Sequence, residues 1–328
     1  MIKQIKDNKM KKYFMFPAAL LLALTACNNE EETTENSGGN TPVSFTADIA
    51  GQTSTRAYDQ TWENGDRIGI YGTSGTVAYT NVAYETKNGD GKFTIVAAGT
   101  EIYYQTTDAV TFTAYYPQND LAADVTTIPA DTWGQSAQKS FDFLWAQGNG
   151  SKTSKNVDFS FAHKMAKLAL TIKAGTGVSY EEVKAAKLML SDYLHKGSFD
   201  VTTGAATADT ETSAVYWQFA NNGDTEKAYN APFTTDEVKK TVTYSLILFP
   251  QSFETTKMTF QAELAQTLST QLDFTTANTD ARDADPKNEL VAGRQYNLSI
   301  VLNKQGLTMT GCTISGWVPV DGGGFSAN

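Results

Sequence analysis

The chain has 328 residues, of which 41% are hydrophobic, 11% aromatic and 19% charged, with a formal net charge of −10. That length allows more than one sizeable core. The acidic balance argues against a nucleic-acid partner and against a basic hold on anionic lipid.

The chain opens with Lys3, Lys6, Lys9, Lys11 and Lys12, followed by an apolar run from Tyr13 to Ala26. Fourteen residues are too few to span a bilayer but suit the apolar region of a secretory signal. The run ends in Leu24-Thr25-Ala26-Cys27, which resembles the lipobox of bacterial lipoproteins. That resemblance implies a signal peptide over residues 1–26 and acylation of Cys27, which would then anchor the chain in the outer membrane. Removing the signal takes away five lysines and Asp7 and leaves a net charge of −14. Cys312 is then without a partner, and its setting among threonines predicts a small strand residue.

Residues 27–42 carry glutamates, threonines, asparagines and glycines and no large apolar side chain, which predicts an acidic flexible tether. Its start, Cys27-Asn28-Asn29-Glu30-Glu31-Glu32, resembles the acidic signal that sends Bacteroidales lipoproteins to the cell surface.

From Val43 onward the apolar period is two, the signature of half-buried strands. Val43, Phe45, Ala47 and Ile49 share one face of the first. The alternation returns at Val110–Tyr116, Val157–Phe161, Ala166–Ile172, Val215–Phe219, Val242–Leu248, Met258–Leu264 and Tyr296–Leu302. Asn64-Gly65-Asp66, Asn88-Gly89-Asp90-Gly91 and Asn221-Asn222-Gly223-Asp224 punctuate these runs as turns. Only Tyr180–Met189 suggests a helix. The expectation is an all-β protein of two tandem β-sandwiches, 43–162 and 163–328, with the boundary near Ala162-His163.

Catalytic and metal chemistry find little support. His163 and His195 are the only histidines and have no ligand at metal spacing. Ser136-Ala137-Gln138-Lys139 matches Ser-x-x-Lys without a supporting helix pattern or the companion motifs. Asp280, Asp283, Asp285 and Glu289 cluster without the spacing of a calcium loop and read as a solvated loop. No catalytic residue, cofactor or metal site is expected. Tyr103, Tyr104, Tyr115, Tyr116, Trp133 and Trp145 could build a sugar platform, although core packing is the commoner use of such rings.

Arg56 stands out. The chain has four arginines against 22 lysines, and this one lies in Thr53-Ser54-Thr55-Arg56-Ala57-Tyr58, just past the first strand. A cut after Arg56 would separate the first strand and the tether from everything downstream. Arg67 is a poorer site because it enters the strand holding Ile68 and Ile70.

Several segments together resemble the fimbrillin-like proteins of Bacteroidales. They are Val43–Ala47, Thr55-Arg56-Ala57, Trp62–Tyr71, Phe161–Leu168, Leu248-Phe249-Pro250-Gln251, Ala292–Leu298 and Ile314-Ser315-Gly316-Trp317, in that order. The resemblance implies two transthyretin-like Greek-key β-sandwiches, lipoprotein export, and subunits of type V pili polymerised by strand exchange. It also implies an arginine-specific protease acting between Arg56 and Ala57, with Val43, Phe45, Ala47 and Ile49 on the displaced strand. The strand-like end, residues 307–328 with Leu307, Met309, Ile314 and Trp317, is the candidate donor to a neighbouring pilus subunit. Three readings stand: a cleaved stalk subunit, an uncut anchor or tip adhesin meeting a host glycan or protein receptor, and a monomeric glycan-binding surface lipoprotein.

Overall fold

Alternating side chains put one face of each segment in the core and one in solvent, and the chain answers with strands almost throughout. The computed structural model describes residues 39–50, 61–210, 217–219, 231–277 and 287–315. From Asn40 onward the chain forms one compact unit. The all-β expectation is met.

The first strands are β1 (Ser44–Ile49), β2 (Arg67–Ser74), β3 (Val77–Thr86), β4 (Lys92–Ile95), β5 (Val110–Tyr116) and β6 (Thr127–Asp131). A short 3-10 helix, Gln135–Ser140, leads to β7 (Leu144–Gly150) and β8 (Asn156–His163). All but β6 close into a barrel in the order β8-β1-β4-β3-β2-β5-β7. Because it closes, none of its described strands offers a free edge for a stray chain to pair with. Only the β1–β8 pair in it is parallel.

The second half begins with β9 (Ala166–Ala174), the helix α1 (Tyr180–Ala185), β10 (Lys187–Ser191), β11 (Lys196–Asp200) and β12 (Ala205–Ala208). It continues through β13 (Trp217–Phe219), β14 (Phe233–Asp236), β15 (Thr241–Leu248), β16 (Thr259–Glu263), β17 (Thr267–Gln271), β18 (Gln295–Asn303) and β19 (Gly306–Ser315). A five-stranded sheet, β14-β15-β9-β18-β19, and a four-stranded one, β13-β10-β16-β17, contribute to one core around Leu168, Leu170, Tyr244, Leu246, Phe260 and Leu298. The remaining strand of the first half, β6, pairs with β11 in a small sheet, β12-β11-β6. Under it a third core gathers Tyr115, Phe141 and Phe143 from the first half with Phe199, Ile247 and Phe249 from the second. Phe143 and Phe199 stack there with centroids 4.5 Å apart.

Three details depart from the sequence reading. Thr41 and Pro42, assigned to the tether by composition, bridge Tyr104 and Tyr103. The helix expected over Tyr180–Met189 stops at Ala185. Ser179 caps it through a reciprocal Ser179–Glu182 box, and Leu188 and Leu190 then alternate into the core as strand. Several strands, β3 and β7 among them, have no clean alternation in sequence. In β3, Asn81 takes φ of 50° where the register against β2 shifts, which breaks the period. In β7, Gly148 and Gly150 stand where a methyl group would collide with Val157 and with the Tyr104 ring.

Phe45→Ala is expected to lower barrel stability by about 3–5 kcal/mol, read as a shifted denaturant midpoint at unchanged slope. Gly150→Ala should cost about 1–3 kcal/mol by overpacking, measured the same way; no loss there would mean that Tyr104 moves aside freely.

Candidate functional site

The first strand is a plug. β1 runs parallel to β8, from Ser44 opposite Asn156 to Ile49 opposite Phe161, and antiparallel to β4 at Phe45 and Thr46. Val43, Phe45, Ala47 and Ile49 point inward and are each at most 7% exposed. The Phe45 ring meets Tyr84 and Phe112 edge-on at 4.9 and 5.5 Å and stacks on Phe159 at 5.7 Å. Trp62, packed against Phe93, Tyr116 and Phe161, donates its Nε1–H to the Ala47 carbonyl at 2.8 Å. The Ala47 N–H donates to the Gly91 carbonyl, and Gly91 has φ of 74° with the Ala47 carbonyl where a side chain would sit. Only glycine lets the β3–β4 turn come this close to the plug.

The outward face of β1 meets β8 in a polar ladder. Thr46 donates its hydroxyl to Asp158 Oδ1, and Asn156 Nδ2 donates to Thr46 Oγ1 at 3.1 Å and to the same Asp158 oxygen. Asn156 and Asp158 lie more than 100 residues from Thr46, so no local pattern marks them. Sequence reasoning missed them.

After Ala50 the chain passes into residues 51–60, so Arg56 and Ala57 lie outside the described residues, as does Cys27. It is described again from Thr61. A cleft of about 690 Å³ is lined by Ile49, Thr61, Trp62, Gln138, Lys139 and Phe233 among others. Lys139 pairs there with Asp66 at 2.8 Å and with Glu63, while Asp66 also accepts from the Tyr116 hydroxyl at 3.1 Å. Burial first, and the Asp66 charge second, push the Tyr116 hydroxyl well above its ordinary pKa and keep it a donor. Arg67 opens β2 and pairs with Glu85 at 2.8 Å.

The last described strand, β19, sits at an edge of its sheet and, among the described residues, pairs only with β18. Leu307 and Met309 pack half-buried against the core, Cys312 is buried, and Ile314 is 37% exposed. A bulge opposite Ser299/Ile300 leaves Thr310 as the extra residue, so Met309 and Cys312 both turn inward. Burial, helped by Asp273, raises the Cys312 thiol to about 12, which leaves it unreactive. Trp317 falls outside the described residues.

The remaining sequence candidates are dispersed. Ser136 and Lys139 do lie on a 3-10 helix, but the Lys139 amine is held by Glu63 and Asp66. His163 pairs with Asp142 at 2.8 Å and His195 with Asp131 at 2.6 Å, so each histidine has its own carboxylate. Asp280, Asp283 and Asp285 lie outside the described residues. Tyr104, Tyr115 and Tyr116 are buried, whereas Tyr103, Trp133 and Trp145 are partly exposed and Trp145 donates to the Val201 carbonyl. Tyr104, Tyr115 and Tyr116 therefore act in the core.

Known proteins place this architecture. A protein of Bacteroides uniformis with the provisional name fimbrium subunit Fim1C is 29% identical over 97% of this chain and 99% of its own length. A solved structure from the same species, provisionally described as a cell adhesion protein, is 27% identical with a TM-score of 0.63, covering 85% of this chain and 98% of that one. A second, from Bacteroides ovatus, shares the fold at 24% identity and a TM-score of 0.64, covering 86% and 100%. These relatives are described as fimbrial and adhesion proteins rather than as enzymes. Residues 55–317 match the profile described as fimbrillin-like, and the chain belongs to that family.

Proposed function

We propose that this chain is a structural subunit of a surface fimbria, exported as a lipoprotein through Cys27 and matured by a cut between Arg56 and Ala57. Its subunits then join by strand exchange, and the fibre contributes to adhesion. The observation that carries this reading is the placement of β1. It fills the barrel between two strands remote in sequence, β8 and β4, and leads toward the segment that contains Arg56.

Burying Val43, Phe45 and Ile49 stabilises by roughly 5–9 kcal/mol before entropy, against about 5–15 kcal/mol for a whole domain. A barrel that loses β1 exposes an apolar groove flanked by unpaired backbone groups on β8 and β4, a template for an incoming strand. The cut turns β1 from a tethered part of the chain into a separate peptide, so a neighbour's strand present at high local concentration can displace it. β19 is the natural donor, because it lies at a sheet edge. Partners on this reading are other pilus subunits, an arginine-specific protease and the outer membrane through Cys27. An uncut anchor or tip subunit is the second reading. It is favoured by the completeness of the barrel with β1 in place, which needs no processing to be stable.

Mass spectrometry of fibres sheared from cells tests the pair: an N-terminus at Ala57 marks a stalk subunit, and acylated Cys27 within the fibre marks an anchor. Arg56→Ala should leave a secreted subunit that stays out of fibres. Deleting residues 307–328 should give a folded, exported monomer, and normal fibres from that variant would refute the donor role of the C-terminal segment.

A further inference from the structure

An alternating strand fixes which face enters a groove but not how far it slides, since a slip of two residues keeps every apolar side chain inward. Something else must choose among those positions. On the β1 site two features can: the order of side-chain sizes inside, and the Asn156–Asp158 rung outside.

We propose that this rung sets the register of the incoming strand, and that its partner is the Leu307–Thr313 segment of a second copy of this chain, lying in the direction of β1. The inference rests on the strand-exchange reading above. In this register Leu307 takes the place of Val43, Met309 that of Phe45, Gly311 that of Ala47 and Thr313 that of Ile49. The size order, two large groups, then a small one, then a β-branched one, is kept. Outside, Thr308 replaces Ser44, and Thr310 replaces Thr46 as the hydroxyl donor to Asp158.

Neighbouring registers fail on one face or the other. Slipping two residues one way puts Gly311 into the Phe45 pocket, leaves no side chain between Tyr84, Phe112 and Phe159, and sets Cys312 opposite Asp158. Slipping the other way forces Met309 into the Ala47 position, closed by Trp62 and Gly91. Val110–Thr113 and Val242–Ser245 carry the same apolar–hydroxyl alternation, but β5 and β15 are flanked on both sides within their sheets. β19 is an edge strand and can leave with one ladder broken.

The transfer also reverses Cys312. In its own sheet the Thr310 bulge turns this thiol into the core. In uninterrupted alternation on the groove it takes the place of Asp48, which is exposed. The native chain therefore carries a reporter of its own exchange.

The test uses full-length protein cut with an arginine-specific protease. An acceptor carrying Ser160→Cys and Cys312→Ser, its new cysteine opposite the Asp48 position and the rung intact, is mixed with a donor that retains Cys312 and with donors carrying Thr310→Cys or Ile314→Cys in a Cys312→Ser background. Oxidative cross-linking between subunits is expected at 160–312 above the other pairs, since a disulfide needs Cα atoms within about 7 Å. In polymer of the unmodified chain Cys312 should react with maleimide, while the uncut monomer stays protected. Asp158→Ala should slow assembly roughly 2- to 10-fold, the loss of one hydrogen bond. Polymer that cross-links best at Thr310→Cys or at Ile314→Cys overturns the register and leaves strand exchange standing. Cut, unmodified protein that never polymerises overturns both.

Discussion

The structure depends on one constraint: a six-residue strand is buried on one face and hydrogen-bonded on both edges by segments remote in sequence. Phe45 is its keystone, because three aromatic rings from β3, β5 and β8 close on it. Backbone donors at Val43, Ser44, Ala47 and Ala50 find carbonyls at Ile102, Lys155, Gly91 and Phe161, so the strand is tied to three separate parts of the chain. An element held in this way is costly to remove but leaves a well-shaped vacancy, since its neighbours are fixed by their own partners.

The rest of the molecule braces the strands that flank β1. β5 and β7 carry the barrel into the third core, where Phe143 stacks on Phe199 and Gln135 exchanges hydrogen bonds with the Ile247 backbone. Two halves that could have moved as beads on a string thus share an apolar cluster and a small sheet. Beside the plug, Lys139 offsets the charges of Glu63 and Asp66 in a chain that is otherwise acidic, so the turn after Trp62 is held where the Trp62 indole can grip Ala47. Long surface lysines in such pairs add modestly to stability; their value here is positional.

Much of the fold was legible in the residues. The alternations at Val110–Tyr116, Ala166–Ile172, Val242–Leu248 and Tyr296–Leu302 became strands at nearly those limits, because each has a purely apolar inner face. β3 and β7 were not legible, since a left-handed asparagine in one and close-packed glycines in the other interrupt the period that betrays a strand. The candidate site was half legible. Val43, Phe45, Ala47 and Ile49 announce a buried face by themselves, whereas Asn156, Asp158 and Trp62 become part of the site only through pairing and packing.

Composition and periodicity were enough to determine an acidic all-β chain with one strand-forming segment from Val43 and another from Leu307, because each rests on side chains a few positions apart. Only the tertiary structure decided that the first of those segments closes a barrel and the last described one lies at a sheet edge. Strand order is a matter of which backbone groups find each other across more than a hundred residues, and no local pattern encodes that choice.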